Sequence, residues 1–75
     1  MEIQVKLSGF LKEKTPPGGT LTLADGATLD DALTALGIAA TSVQSSLVNG
    51  KFEKNRRRAL AAGDEVTLLP PVGGG

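Results

Sequence analysis

The residues of this chain best placed to do chemistry are its last ones. The chain closes with a proline pair, a valine and three glycines: Pro70, Pro71, Val72, Gly73, Gly74 and Gly75. Three glycines place no side chain near the terminal carboxylate, so it can enter a narrow slot in a partner where any Cβ would collide. The alternative is a frayed end without a role, because chain ends and glycine runs are often disordered. The prolines favour a stiff, extended exit, and six residues in polyproline form reach about 19 Å.

The chemistry open to this end is that of a carboxylate. A terminal carboxylate is an anion at neutral pH and resists nucleophiles until it acquires a good leaving group. The chain has no cysteine and no histidine, which excludes disulfides, thiolate nucleophiles and the usual zinc ligands, and removes the side chain best suited to proton transfer. Self-contained catalysis is therefore not expected.

Two pairs of adjacent carboxylates occur elsewhere, at residues 30–31 and 64–65. Each pair is placed where helix starts and turns normally carry acids, so we assign both pairs structural roles.

Composition limits the partners that this chain can have. Tyrosine and tryptophan are absent, Phe10 and Phe52 are its two aromatic residues, and the net charge is +0. A stacking platform for nucleic acid is therefore poorly supported. No apolar run reaches transmembrane length, and the first residues lack the pattern of a secretory signal. We expect a cytoplasmic protein that binds neither membrane nor nucleic acid.

Hydrophobic periodicity predicts the elements that position the tail. Apolar and polar residues alternate over residues 2–7, 20–23 and 65–69, which predicts strands, and Asn49-Gly50 predicts a tight hairpin between strands 45–49 and 51–53. Thr28 is placed as the N-cap of a helix that Gly37 ends, and its apolar positions follow the helical period at Leu29, Ala32, Leu33 and Leu36. A further short helical turn is possible over residues 38–42.

The predicted order β-β-α-β-β-β places a sheet against one main helix, which is an α+β sandwich. This is the arrangement of a ubiquitin-like β-grasp, with a mixed sheet of four to five strands, over residues 1–69, followed by a flexible tail at residues 70–75. Residues 9–19 are expected to form a surface connection, with Phe10 and Leu11 tucked beneath it. The expected core consists of Ile3, Val5, Leu7, Leu21, Leu23, Leu29, Leu33, Leu36, Leu47, Val66 and Leu68.

Three stretches of the chain resemble one protein family: VNG at residues 48–50, LAAGDEV at residues 60–66 and PPVGGG at residues 70–75. Together with the predicted fold, they resemble the MoaD/ThiS family of ubiquitin-fold sulfur carriers, and the proline pair looks most like the molybdopterin synthase small subunit. The triple-glycine ending is also familiar among thiamine-type carriers.

The resemblance implies a non-catalytic protein substrate. An E1-like adenylyltransferase would adenylate the carboxylate of Gly75 with ATP, and sulfur would then displace AMP and leave a thiocarboxylate. The tail that enters the partner's active site would be Gly74, Gly73, Val72, Pro71 and Pro70. No cofactor is expected to stay bound. The acceptor would be the molybdopterin synthase large subunit or another sulfur-accepting enzyme, with a thiamine-type pathway as the alternative. A ubiquitin-like modifier conjugated through Gly75 and a passive adaptor remain as further function classes.

Two further features suggest where a partner would dock. Five cations lie within eight residues: Lys51, Lys54, Arg56, Arg57 and Arg58. A solvated loop, a dock for an acidic partner and a nucleic-acid contact are the three interpretations of this run. Leu69 is predicted to face outward, where it would form an exposed apolar patch with Phe52 or Val48.

Overall fold

The structure is a computed structural model, which describes residues 1–71 of the chain. Five strands and one α-helix follow each other in this part: β1 (Glu2–Leu7), β2 (Thr20–Thr22), α1 (Leu29–Leu36), β3 (Ser45–Val48), β4 (Lys51–Phe52) and β5 (Glu65–Leu69). Short 3-10 helices occupy Gly9–Lys14, Pro17–Gly19 and Ala40–Ser42. The element order matches the prediction, and the possible helical turn after α1 is confirmed at Ala40–Ser42.

The strands form one mixed sheet in the order β2-β1-β5-β3-β4. β1 pairs antiparallel with β2 and parallel with β5, and β5 pairs antiparallel with β3. One face of this sheet packs against α1, which confirms the predicted ubiquitin-like β-grasp. The strand that leads to the tail, β5, therefore lies in the middle of the sheet, held by a neighbour on each side.

The core follows the predicted pattern except in β3. Alternate residues of β1 and β5 are buried, as the period-2 pattern requires. In β3 the buried apolar residue is Val48, which is 1% exposed, whereas Leu47 is half-buried on the opposite face. The prediction of Leu47 as a core residue was therefore wrong, and so was that of Val48 in an exposed patch. Leu21 and Leu23 pack against the core but stay partly exposed.

The connection after β1 is more ordered than a surface loop. Gly9–Lys14 forms a 3-10 helix that buries Leu11 in the core, as predicted. Phe10, which was predicted to tuck in with it, is 62% exposed. A 3-10 helix has three residues per turn, so neighbouring side chains point in different directions and only one of the two apolar side chains can face the core.

Helix α1 starts and stops where its sequence signals predict. The Thr28 side chain accepts a hydrogen bond from the Asp31 backbone N–H, and the Asp31 carboxylate accepts one from the Thr28 N–H, which makes a capping box. Gly37 ends the helix with φ of 73°. Within residues 1–71, no helix is both long enough and apolar enough to cross a membrane.

Candidate functional site

The base of the predicted tail is the carboxyl end of the central strand β5. Pro70 and Pro71 follow Leu69 directly, and the structure describes both of them. The predicted reactive residue Gly75, together with the predicted tail residues Gly74, Gly73 and Val72, lies outside the described residues. The site is therefore defined here by the tail base, residues 69–71, and by the surfaces around it.

Residues next to both neighbouring strands hold the carboxyl end of β5, from which the tail base continues. The backbone N–H of Gln44 donates a hydrogen bond of 2.8 Å to the Leu69 carbonyl, and the N–H of Ser8 donates one of 3.3 Å to the Leu68 carbonyl. Leu69 is also the register partner of Ser45 in β3. The chain thus leaves the sheet from a point that is anchored on both sides.

The opposite end of β5 is held by a side-chain clasp between Asn49 and Asp64. The Asn49 Nδ2 donates to Asp64 Oδ1 over 3.0 Å, and the Asn49 Oδ1 accepts from the Glu65 backbone N–H over 2.9 Å. Asp64 Oδ2 accepts in addition from the Ala61 backbone N–H over 2.9 Å. This last bond and the one from Asn49 stabilise the ionised carboxylate and lower the pKa of Asp64 below its ordinary value. The stretches VNG and LAAGDEV therefore meet in space, and the structural role predicted for Asp64 is confirmed.

The other three residues of the two carboxylate pairs also have structural roles. Asp31 belongs to the capping box, and Asp30 lies 4.0 Å from Arg56 across the surface. Glu65 forms an ion pair of 3.3 Å with Lys6 on the neighbouring strand. These positions agree with the structural roles predicted for both carboxylate pairs.

The basic segment, residues 51–58, is fixed by its backbone to the start of α1. The carbonyl of Arg58 accepts a hydrogen bond from the Leu29 N–H over 3.0 Å, and that of Arg56 accepts one from the Asp30 N–H over 2.8 Å. These bonds satisfy helix N–H groups that have no partner within the helix. The segment is therefore an ordered surface whose backbone caps the helix.

The side chains of the basic segment are unevenly neutralised. Arg58 forms an ion pair of 3.3 Å with Glu53, and Arg56 is 4.0 Å from Asp30. Among the described residues, the cations Lys51, Lys54 and Arg57 have no carboxylate within 4.0 Å. Three full positive charges thus remain available on this surface.

An open groove of about 620 Å³ lies between residues 40–46, which adjoin the tail base, and the basic segment. One wall is the chain from Ala40 to Ser46, which includes the two residues that contact Leu69, and the other carries Phe52, Glu53, Lys54 and Arg56. Beside the groove, β4 is two residues long and pairs with Leu47 and Val48 of β3, and the Glu53 N–H beyond it donates to the Ser46 carbonyl over 2.8 Å. The structure therefore brings three predicted docking residues, Phe52, Lys54 and Arg56, to one groove beside the tail.

The outer face of the sheet carries a partly exposed apolar patch. Leu47 and Phe52 are register partners and share this face, and Phe52 is 71% exposed. Leu69 lies on the same face and is half-buried. The outward orientation predicted for Leu69 agrees with this arrangement, but its apolar neighbour on β3 is Leu47. A two-residue Asn49-Gly50 turn makes Val48 and Lys51 partners, so the hairpin signal already implied that Leu47 shares a face with Phe52.

The described residues, 1–71, contain no cluster of three or more acidic side chains that could hold a metal ion.

Comparisons with known proteins find one family model and several solved structures that resemble this chain. A family model described as the ThiS family matches residues 5–75 of this chain. The crystal structure of SAMP1 from Haloferax volcanii is 31% identical, with all of both chains covered and a TM-score of 0.75. A second structure, of H. volcanii small archaeal modifier protein 1, is 30% identical over 95% of this chain and 98% of that one, with a TM-score of 0.73.

A chain in the complex of subunits 1 and 2 of molybdopterin-converting factor from Helicobacter pylori 26695 is 24% identical, with all of both chains covered and a TM-score of 0.64. At that identity the likeness establishes a shared fold. A search of curated proteins finds no match to this chain.

Proposed function

This chain belongs to the ThiS family, and we propose that it carries sulfur as a thiocarboxylate on Gly75. The observation that carries the proposal is the extent of the family match, which runs to residue 75 and so includes the terminal glycines. The coarser assignment, a small ubiquitin-fold sulfur carrier or modifier, follows from the same match and from the likeness to SAMP1.

The proposed reaction needs a partner enzyme, because an ionised carboxylate is a poor electrophile. An oxygen of the Gly75 carboxylate attacks the α-phosphorus of ATP on an E1-like enzyme and releases pyrophosphate, which leaves an acyl adenylate. Sulfide then attacks the carbonyl carbon, a C–S bond forms, and the C–O bond to AMP breaks. The chain contains no cysteine, so any persulfide relay belongs to the partner.

The anchored tail base supports this role. β5 lies between β1 and β3, and the hydrogen bonds of Leu68 and Leu69 hold its carboxyl end. Pro70 and Pro71 have restricted φ angles, so they favour an extended path away from the body. The folded body can then stay on the partner's surface while the tail reaches the active site.

The proposed docking surface consists of the groove, the cations of the basic segment and the apolar patch. Phe52 belongs to both the groove and the patch, and Lys54 and Arg56 line the same wall of the groove. An acidic face on the partner would complement Lys51, Lys54 and Arg57 and would increase the rate of encounter. The proposed surface also includes Leu69, which belongs to the apolar patch, and Arg58, which belongs to the basic segment.

We propose molybdopterin synthesis as the pathway that receives the sulfur, because the proline pair before the glycines resembles the molybdopterin synthase small subunit. A thiamine-type pathway is the alternative. In either case the acceptor is a partner enzyme, and ATP is consumed during activation by the E1-like enzyme.

A second candidate function is favoured by one specific observation. The 30% identical relative is described as a small archaeal modifier protein. In that case the same adenylated Gly75 would react with a lysine amine of a target protein, and an amide bond would replace the bond to AMP. Both candidates require Gly75 and differ only in the acceptor.

The intact mass of the protein tests the proposal. The purified chain is incubated with ATP, an E1-like enzyme from the same organism and sulfide. We expect a mass gain equal to the replacement of one oxygen by sulfur, which should be lost in a chain truncated before Gly74. The variant Gly75→Ala should load poorly, because its methyl group lies beside the reacting carbon, and should unfold at the same denaturant concentration as the wild type.

Two results would contradict the carrier proposal. The first is that the wild-type chain gains no sulfur under conditions that load a carrier of established activity, which would contradict the thiocarboxylate step. The second is that a conjugate with a target protein forms without any thiocarboxylate, which would favour the modifier function. Normal loading of Gly75→Ala would contradict the argument that the partner's slot excludes a Cβ.

A further inference from the structure

Gly9, just after β1, lies against the first residue of the tail. Its φ is +57°, a conformation that side-chain-bearing residues rarely adopt. A Cβ built on Gly9 would lie 2.9 Å from the Cγ atom of Pro70 and 3.8 Å from its Cδ atom. Carbon atoms in contact normally lie about 3.5 to 4.0 Å apart. The close passage of the Pro70 ring therefore requires glycine at position 9.

We infer that Gly9 is a positioning residue that sets the direction in which the tail leaves the body. An alanine at position 9 must push Pro70 away by about 0.5 to 1 Å to restore a normal carbon–carbon distance. The ring is closed on the backbone nitrogen, so Cγ can move within it only by a change of pucker, and the rest of the shift must be taken up by the backbone. The displacement therefore reaches Pro71, from which the rest of the tail continues. The effect on sulfur loading rests on the proposed function, whereas the effect on direction does not.

The competing explanation is that Gly9 serves only the turn after β1. A second glycine separates the two explanations. Gly18 has a similar φ of +71°, but a Cβ on Gly18 would have no atom within 4 Å. Gly9→Ala and Gly18→Ala therefore carry similar backbone strain, and only Gly9→Ala also meets Pro70.

The kinetic test compares sulfur loading of these two variants by the E1-like enzyme. A misplacement of about 1 Å that is caused by a mutation far from the reacting group can slow a step by up to roughly a hundredfold. We expect Gly9→Ala to lower kcat by about tenfold or more with little change in KM, because the docking surface is intact. Gly18→Ala should keep the wild-type kcat. A variant that was merely less folded would behave like a lower concentration of carrier and would change the apparent KM.

A double variant tests whether Pro70 mediates the effect. Pro70→Ala removes the Cγ and Cδ atoms that the new methyl group would meet. In the Pro70→Ala background, the further change Gly9→Ala should therefore have no more effect on kcat than Gly18→Ala has. An equal loss of kcat with and without the proline ring would overturn the inference, and so would equal rates for Gly9→Ala and Gly18→Ala.

A measurement of tail direction keeps this inference separate from the proposed chemistry. A spin label on a cysteine appended after Gly75 broadens the amide signals of body residues that the tail approaches. We expect Gly9→Ala to change which residues are broadened, whereas Gly18→Ala should reproduce the wild-type pattern. The pattern can be measured even if no sulfur is loaded, so it decides the inference when the proposed function fails. An unchanged pattern in Gly9→Ala would overturn the inference.

Discussion

The clasp between Asn49 and Asp64 makes the sharpest stability prediction, because Asn49 is exposed and Asp64 half-buried, and yet they join parts of the chain that are fifteen residues apart. The change Asn49→Gly removes both hydrogen bonds of the amide side chain, one to Asp64 and one from the Glu65 N–H. Glycine still accepts the φ of +54° found at this position, so the turn itself is kept.

The magnitude follows from the two bonds. A typical hydrogen bond contributes about 0.5 to 1.5 kcal/mol, and one to a charged group contributes about 1.5 to 3 kcal/mol, before water replaces part of it at an exposed site. We therefore expect Asn49→Gly to lower the free energy of unfolding by about 2 kcal/mol. Asn49→Ala should cost about 1 kcal/mol more, because a side-chain-bearing residue is strained at positive φ.

The assay is urea unfolding followed by far-ultraviolet circular dichroism, since the chain has no tryptophan or tyrosine to report by fluorescence. A loss of 2 kcal/mol would be a large fraction of the stability of so small a domain, for which about 5 kcal/mol is a common value. Asn55→Ala is the matched control, because Asn55 is also exposed but its side chain makes one local bond, to the Arg57 N–H.

A double-mutant cycle of Asn49→Gly with Asp64→Ala isolates the shared bond. The two changes should be less than additive by about 1 kcal/mol, because each alone already breaks the bond between these side chains. The reasoning is refuted if Asn49→Gly stays within about 0.5 kcal/mol of the wild type, or if the two changes simply add.

Two further predictions concern pH and the docking surface. The pKa of Asp64 is lowered in the folded state, so its contribution to stability is complete above its unfolded pKa and is lost as pH falls through its folded pKa. The difference in unfolding free energy between wild type and Asp64→Asn should therefore shrink from about pH 6 to about pH 2, and a constant difference would contradict the assignment. For docking, Phe52→Ser should weaken binding to the E1-like enzyme at least fivefold while shifting the unfolding free energy by less than about 0.5 kcal/mol. Binding of the wild type should also weaken when the salt concentration is doubled, and binding indifferent to both changes would exclude this surface.

Much of the fold could be predicted from local patterns. The capping box at Thr28, the left-handed end of α1 at Gly37 and the Asn49-Gly50 turn each depend on a few neighbouring residues, and all three appear in the structure. The alternation in β1 and β5 also identified their buried faces correctly. These signals are reliable because the hydrogen bonds and side-chain spacing that they express are set within a few residues along the chain.

The prediction failed where two apolar residues compete for one buried position. Leu47 and Val48 are adjacent and both apolar, so alternation alone does not say which of them faces the helix. Their orientation is fixed by the register of β3 with β5, in which Val48 pairs with the buried Val66. Phe10 and Leu11 are a second pair of adjacent apolar residues, and packing against the core buries Leu11 and leaves Phe10 exposed.

The sequence by itself determined the class of chemistry open to this protein. From the absence of cysteine and histidine and from the three glycines at residues 73–75, it predicts that the terminal carboxylate is the group on which a partner acts, and this stays a prediction. Only the tertiary structure decided what surrounds the path to that group: the clasp at one end of β5, the groove beside the tail base, and the passage of Pro70 over Gly9. These features join residues that are far apart along the chain. Their geometry depends on how the strands pair and pack, which no local pattern of residues encodes.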